Sequence, residues 1–200
     1  MNKIITIGRE FGSGGRELGK RLAEELNIAY YDWEIVQEIA KRTELSEEYV
    51  NSIIEKQPII AYPIHTSISF TPAYYNVHVG HNAQIFQEQK NLLIELAEKG
   101  DCVIVGRCAD YILRDYKPFR IFVYADMKSK LARCRKNEKE HEHLSDKKLV
   151  KHIKKVDKQR SRYYTFYTGA TWGNKLNYDL MVNTTAVNIK DVVPHVAKML

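Results

Sequence analysis

The chain has 200 residues, of which 44% are hydrophobic and 28% are charged, and its formal net charge is +6. This length can bury one sizeable core and lies near the upper end for a single domain. No apolar run approaches the roughly 20 residues that span a bilayer, which excludes a transmembrane helix and predicts no membrane partner. The positive charge favours anionic partners, either nucleotides or nucleic acid, without choosing between them.

The cysteines indicate the compartment. Cys102, Cys108 and Cys134 are odd in number and lack the spacing of metal ligands. Unpaired cysteines are typical of a reducing environment, and a strand-like segment begins too early to leave room for a signal peptide. The sequence therefore predicts a cytoplasmic protein. The histidines also lack nearby cysteine or carboxylate partners in a ligand pattern, so no metal site is predicted.

The chain opens with an apolar strand over residues 3–8, a glycine-rich turn and an amphipathic helix. The turn is the stretch Gly8-Arg9-Glu10-Phe11-Gly12-Ser13-Gly14-Gly15-Arg16-Glu17. The helix that follows places its apolar residues on one face at the spacing expected for packing on a sheet. Those residues are Leu18, Leu22, Ala23 and Leu26.

The next elements are less regular. A short strand is predicted over residues 28–31 and a helix over 33–43, and Ser46 followed by two glutamates starts another helix. Residues 57–81 contain prolines, Thr/Ser pairs and aromatic residues with no period, which predicts a long loop or a small insert beside the core. A helix is predicted to follow over residues 82–99.

The second half of the chain returns to alternating strands and helices. Residues 102–105 and 119–125 are continuous apolar runs, typical of central parallel strands buried on both faces. Residues 127–162 are basic and predicted to be mostly helical, with a mobile polar tip near 136–143. The remaining predicted elements are a loop over 165–177, a strand over 178–182 and a helix over 189–200.

Strands that alternate with helices predict a parallel sheet with right-handed crossovers. Ligands bind such sheets at the carboxyl ends of the strands. That rule gathers the glycine-rich turn, Asp32, Gly106-Arg107 and Asp126 on one rim, which we take as the candidate site.

The glycine-rich turn has the context of a phosphate loop but only part of its motif. Glycines allow close approach of an anion, and the free N–H groups at a helix start point towards it. In the motif G-x-x-x-x-G-K-[ST], Arg9 takes the position of the first glycine, Gly15 that of the lysine and Arg16 that of the Ser/Thr. Cations at a helix start are mildly unfavourable, and a bound anion between Arg9 and Arg16 would remove that conflict.

We therefore expect this turn to bind phosphate, with Arg16 as a bidentate substitute for the missing lysine. A bare strand-to-helix turn is the alternative interpretation. Glu17 cannot act as a neutral hydroxyl ligand to magnesium, and its alternative role is to favour the helix N-terminus. The predicted phosphate-binding residues are Gly12, Ser13, Gly14, Gly15, Arg16 and Glu17.

Further charged residues follow the other strands. Arg107 stands just past a buried strand and is preceded by a glycine, which suggests close approach of another group and binding of a substrate phosphate rather than a surface charge. Arg133 and Arg135 lie on the basic helix, where a solvated face is an equal alternative. Asp157 and Arg160 share one helix face, where an ordinary i,i+3 ion pair is the alternative.

The order of these motifs resembles that of the cytidylate kinase-like family, nucleoside monophosphate kinases with the P-loop NTPase fold. The resemblance covers nearly the whole chain. The matching segments are GREFGSGGRE (8–17), YYD (30–32), CVIVGRCAD (102–110), the Arg-x-Arg helix, D-x-x-R (157–160) and YDLMVNT (178–184).

The resemblance implies an α/β fold, a three-layer parallel sheet flanked by helices, in one domain over residues 1–200. It implies a nucleoside monophosphate-binding insert at about 45–81 and a helical lid at about 128–165. It also implies transfer of the ATP γ-phosphoryl group to CMP or dCMP, with Mg²⁺ carried on the ATP phosphates.

The site residues can be carried over by position. Residues 12–16 would hold the ATP phosphates, and Arg107 matches the arginine that binds the acceptor phosphate. The resemblance implies that the catalytic residues are Arg16, Arg107, Arg133 and Arg135, and that the substrate-binding residues are Asp32, Arg107, Asp157 and Arg160.

The chain departs from the family pattern at several positions. The loop lacks its lysine and its magnesium-binding hydroxyl, and Cys108 replaces the aspartate of a Gly-Arg-Asp motif. These departures favour a divergent branch and leave a catalytically silent nucleotide- or phosphate-binding protein as the alternative. Nucleic-acid binding through the basic region 127–162 is a weaker alternative, because acidic residues are interspersed there.

Overall fold

The computed structural model describes residues 2–54, 72–137 and 144–200, with only the backbone described for residues 72–80 and Asn137. Its strands are β1 (Ile4–Arg9), β2 (Ala29–Tyr31), β3 (Cys102–Val105), β4 (Phe119–Tyr124) and β5 (Leu180–Asn183). Its helices are α1 (Gly15–Leu26), α2 (Trp33–Thr43), α3 (Glu47–Ile54), α4 (Pro72–Lys99), α5 (Ala109–Ile112), α6 (Met127–Asn137), α7 (Asp146–Thr168) and α8 (Ile189–Ala197). Two 3₁₀ turns lie at Arg114–Tyr116 and Lys175–Asn177.

The five described strands form one parallel sheet in the order β2-β3-β1-β4-β5. The central strand β1 pairs with β3 in the register Ile7 to Val105 and with β4 in the register Ile7 to Ile121. Because all strands run the same way, the residues that follow β1, β2, β3 and β4 meet at one edge. This arrangement confirms the predicted parallel sheet and places the candidate site at that edge.

Helices cover both faces of the sheet and form the outer two of three layers. On one face, Leu18 and Leu22 of α1 pack with Val193 and Val196 of α8 against the strands. On the other face, α2, α3, α4, α5 and the end of α7 enclose a second apolar cluster. All four residues of β3 are buried, as a central parallel strand requires. In the described part of the chain, no helix is both long and apolar enough to cross a membrane.

The structure corrects two sequence predictions. Helix α4 begins at Pro72 and not at residue 82, so the end of the predicted loop 57–81 is helical. Proline is compatible with the first helical turn because its missing N–H has no intrahelical partner there. Helix α7 continues to Thr168, into the predicted loop 165–177, and ends where Gly169 adopts a left-handed conformation (φ 69°). Residues 57–71 of the predicted loop and 138–143 of the polar tip lie outside the described residues.

A matched pair of leucine substitutions tests this core. Leu93 of α4 is fully buried, whereas Leu176 is 80% exposed. Leu93→Ala is expected to lower the free energy of unfolding by about 2–5 kcal/mol, because the variant loses buried apolar contacts and leaves a cavity. Leu176→Ala should change it by less than about 0.5 kcal/mol. Urea denaturation measures both, and equal effects would contradict the described packing.

Candidate functional site

The glycine-rich turn connects β1 to α1 and leaves the start of the helix open. Gly14 adopts a left-handed conformation (φ 84°), and a Cβ atom there would overlap the side chain of Ile189. The Leu18 N–H group donates to the Gly14 carbonyl at 2.9 Å, which closes the first turn. The amides of residues 15–17 precede that bond and therefore have no intrahelical acceptor. A helix start of this kind can bind an anion.

A cavity of about 370 Å³ lies over this helix start. Four arginines line it: Arg9 and Arg16 from the loop, Arg133 from α6 and Arg160 from α7. The two acidic residues at its wall, Glu10 and Glu17, leave a positive balance of charge. This combination of amides and guanidinium groups suits a polyphosphate.

Arg133 has unused hydrogen-bonding capacity at this cavity. Its Nη2 donates to the Thr184 carbonyl, while its Nη1 is buried and has no hydrogen-bond partner among the described residues. The Thr184 hydroxyl in turn donates to the Ser13 carbonyl at 2.7 Å, which ties the end of β5 to the loop. An anion in the cavity would satisfy the Arg133 guanidinium, because a buried donor without a partner is unfavourable.

Arg135 lies on the same helix but is engaged elsewhere. It forms an ion pair with Asp146 at 2.7 Å and donates to the Leu144 carbonyl, both at the start of α7. The structure thus brings Arg133 to the cavity and directs Arg135 towards α7. The predicted catalytic role of Arg135 stays a prediction.

A network of charges around the buried Lys130 fixes the loop to α6 and α7. Asp157 accepts a hydrogen bond from the Phe11 N–H group at 2.6 Å and pairs with Lys130 Nζ at 3.1 Å. Lys130, whose side chain is 6% exposed, also pairs with Glu10 at 2.7 Å. Asp157 therefore orients the loop backbone, and its predicted contact with substrate stays a prediction. Sequence reasoning missed Glu10 and Lys130, because only the packing of α6 against the loop shows that Lys130 is buried.

Ser13, another of the predicted phosphate-binding residues, serves the loop in a similar way. It is fully buried, and its hydroxyl donates to the Glu10 carbonyl at 2.8 Å. Gly12 packs closely against the backbone and side chain of Lys130. These two positions shape the loop around its helix start.

The side chain of Arg9 lies between two glycines. A Cβ atom on Gly15 would come closer than 3.0 Å to the Arg9 Cβ, and a Cβ on Gly106 would overlap the Arg9 guanidinium. The close approach predicted at Gly106 is thus made by Arg9. Asp32 completes this arrangement: its Oδ2 is 2.7 Å from Arg16 Nε and its Oδ1 is 3.9 Å from Arg9 Nη2. The predicted substrate contact of Asp32 stays a prediction.

A second, smaller cavity of about 40 Å³ lies beyond the end of β3. It is lined by the buried side chain of Arg107 together with Asp110 and Tyr164. Arg9 and Arg160 line this cavity as well as the larger one. These two residues therefore border both the cavity at the helix start and the cavity at the end of β3. The sequence placed Arg9 beside a bound anion without including it among the predicted site residues, and it did not select Asp110.

Asp110 is a buried carboxyl beside this cavity. Its Oδ2 accepts a hydrogen bond from the Tyr164 hydroxyl at 2.7 Å. Burial raises the pKa of Asp110, and the hydrogen bond from Tyr164 opposes this rise. Burial also raises the pKa of the Cys108 thiol well above its ordinary value, so Cys108 does not supply a thiolate near neutral pH.

The raised pKa of Asp110 predicts a pH-dependent stability. The folded protein holds this proton more tightly than the unfolded chain, so stability falls as the pH rises from the ordinary aspartate pKa, about 3.9, through the raised value. In Asp110→Asn this loss disappears, so the variant should gain stability relative to the wild type as the pH rises from about 4 towards neutral. Urea denaturation across that range measures the difference, with the exposed Asp115→Asn as control. A difference that does not change with pH would refute the assignment.

The contact between Arg9 and Gly106 is tested by another matched pair. Gly106 has φ 73° and lies against the Arg9 guanidinium, whereas a Cβ on Gly100 would meet no atom within 4 Å. Gly106→Ala should lower the free energy of unfolding by about 1–3 kcal/mol, because alanine is strained there and displaces Arg9. Gly100→Ala should stay within about 0.5 kcal/mol in chemical denaturation. Equal stabilities of the two variants would show that Arg9 does not occupy this position.

Comparisons with known proteins agree with the geometry. The model of the cytidylate kinase-like family matches residues 4–186. A crystal structure of an uncharacterized protein from Eubacterium ventriosum is 30% identical with a TM-score of 0.70, covering 98% of this chain and 97% of that one. No curated protein sequence matches.

Two shikimate kinases share the fold at low identity. The enzyme from Bacteroides thetaiotaomicron is 17% identical with a TM-score of 0.59, covering 100% of this chain and 98% of that one. The enzyme from Acinetobacter baumannii in complex with shikimate is 15% identical with a TM-score of 0.54, covering 100% and 92%. The architecture is therefore that of P-loop kinases.

Proposed function

The chain belongs to the cytidylate kinase-like family, and from this premise we propose that it is an ATP-dependent phosphotransferase. It moves the γ-phosphoryl group of ATP to a nucleoside monophosphate, with CMP or dCMP as the acceptor suggested by the family. The observation that carries the proposal is that one arginine pair, Arg9 and Arg160, lines both the cavity at the helix start and the cavity at the end of β3.

The donor phosphates fit the larger cavity. The open amides of residues 15–17 and the unpartnered Nη1 of Arg133 supply donors where a polyphosphate carries its oxygens. Arg16, which is half-exposed at the same wall, adds a further cation. Among the described residues, no group of three or more His, Cys, Asp or Glu side chains could hold a metal ion. As the family resemblance implies, Mg²⁺ would be carried on the ATP phosphates, where it would neutralise charge.

The acceptor phosphate is assigned to Arg107, at the second cavity. Arg107 is buried, and Gln89 donates to its carbonyl at 2.9 Å, which fixes the backbone just after β3. A volume of about 40 Å³ is much smaller than a nucleoside monophosphate. A nucleoside monophosphate acceptor would therefore place only its phosphate at this cavity, and its nucleoside would lie outside it.

Phosphoryl transfer to this acceptor depends on charge stabilisation more than on proton transfer. A phosphate monoester has a second pKa of about 6, so the attacking oxygen of the acceptor is already ionised near neutral pH. The transferred phosphoryl group carries negative charge on its equatorial oxygens, and preorganised cations lower the barrier. Arginines between the two cavities supply such cations without a general base.

Incubation with ATP, Mg²⁺ and a panel of nucleoside monophosphates tests this function. Chromatography of the nucleotides should show ADP together with a nucleoside diphosphate, most with CMP or dCMP. ATP binding without product from any acceptor would favour the catalytically silent alternative. Absence of product with every acceptor would contradict the proposal, whether or not ATP binds.

An arginine at the cavity and an exposed lysine on the same helix provide the matched variants for this assay. Arg133→Gln should lower kcat/KM by about 10²–10³-fold, because it removes a cation that faces the phosphates. Lys128→Gln should stay within about threefold, because Lys128 is exposed and lines neither cavity. Equal losses would contradict the assignment of Arg133 to the phosphate cavity.

A further inference from the structure

The loop of this protein exchanges two residues of the phosphate-loop motif. In G-x-x-x-x-G-K-[ST], glycine comes first and the lysine follows the second glycine. Here Arg9 occupies the position of the first glycine, and Gly15 occupies the position of the lysine. The cation and the small residue have changed places.

The structure gives a steric reason for this exchange. A Cβ atom on Gly15 would come closer than 3.0 Å to the Arg9 Cβ, a separation that real Cβ atoms essentially never show. Apart from the Arg9 side chain, the nearest atom would be the Val123 Cβ at an ordinary distance of 3.4 Å. Only one of positions 9 and 15 can therefore carry a side chain. A lysine at 15 requires glycine at 9, and an arginine at 9 requires glycine at 15.

From this exclusion we propose that Arg9 supplies the phosphate-binding cation that the lysine supplies in the full motif. The two cations would come from opposite sides of the contact between positions 9 and 15. The proposal rests on the proposed function, since it assigns a residue to the same triphosphate. The proposal identifies Arg9 as the group that contacts the transferred phosphoryl oxygens. Arg9 lies at the end of β1 and not at the start of α1.

The position of the Arg9 guanidinium supports this role. It lies against the backbone of Gly106, and Arg9 lines both the cavity at the helix start and the cavity beside Arg107. The transferred phosphoryl group must pass between those two cavities. The side chain of Arg9 is 8% exposed, compared with 53% for Arg16. A buried, fixed cation interacts with a developing charge more strongly than an exposed one.

A purely structural role for Arg9, as the partner of Asp32, is the competing explanation. Asp32 already has a close partner in Arg16 at 2.7 Å, whereas its distance to Arg9 is 3.9 Å. The pair with Arg16 would remain if Arg9 were removed. A structural role also predicts no rescue by a cation introduced at a different position, and this difference separates the two explanations.

The test compares the wild type with Arg9→Gly, Gly15→Lys and the double variant that carries both changes. Arg9→Gly should lower kcat/KM by about 10²–10³-fold, as expected for the loss of one transition-state contact. Gly15→Lys should lose activity and thermal stability, because its Cβ overlaps Arg9. The double variant restores the order of the motif and should regain at least about tenfold over Arg9→Gly, since its lysine is no longer obstructed.

Calorimetric titration with ATP and Mg²⁺ accompanies the assay. If the wild type binds ATP and Arg9→Gly keeps the same ATP affinity and activity, the Arg9 proposal is overturned and the proposed function remains intact. Absence of ATP binding by the wild type would overturn the proposed function and the Arg9 proposal with it. A folded double variant that is no more active than Arg9→Gly would also overturn the Arg9 proposal.

If the double variant does not fold, Arg9→Met and Arg9→Lys distinguish the proposed phosphate-binding role of Arg9 from a purely structural role. Methionine keeps the apolar stem of the side chain without its charge, and lysine keeps the charge. Loss of activity in Arg9→Met with partial retention in Arg9→Lys would support the proposal. Equal activity of the two variants would overturn it.

Discussion

Arg9 crosses the first turn of α1 so closely that position 15 can hold only glycine, and the geometry of the site depends on this contact. The guanidinium then reaches the end of β3, where Gly106 leaves room for it. One side chain thereby connects the ends of β1 and β3 with the start of α1. Because these three places border the two cavities, the same contact that shapes the loop also puts a cation between the proposed donor and acceptor phosphates.

The loop is held from its other side by charges on α6 and α7. Asp157 fixes the Phe11 amide, and Lys130 joins Asp157 to Glu10. The backbone of the phosphate loop is thus attached to the two helices that the family resemblance assigns to the lid. A movement of those helices would displace the loop as well, so this attachment links the proposed lid to the proposed phosphate-binding residues.

Much of the architecture follows from the sequence, because it depends on local patterns. The apolar runs that became β3 and β4, and the glycines before α1, are visible within short windows, and the strand-end rule then placed Arg107 and Asp32 on one rim. The contact of Arg9 with Gly106 and the burial of Lys130 were not visible, because they arise from contacts between segments far apart in the chain. The start of α4 was missed because Pro72 was taken as a loop residue.

The central claim is that the loop binds a nucleoside triphosphate with Arg9 as one of its cations. A crystal structure of the protein with Mg²⁺ and a non-hydrolysable ATP analogue tests it most directly. In this complex the β- and γ-phosphates are expected within hydrogen-bond distance of the amides at the start of α1, with the γ-phosphate in contact with the Arg9 guanidinium. Phosphates bound away from this helix start, or a γ-phosphate that Arg9 does not contact, would contradict it.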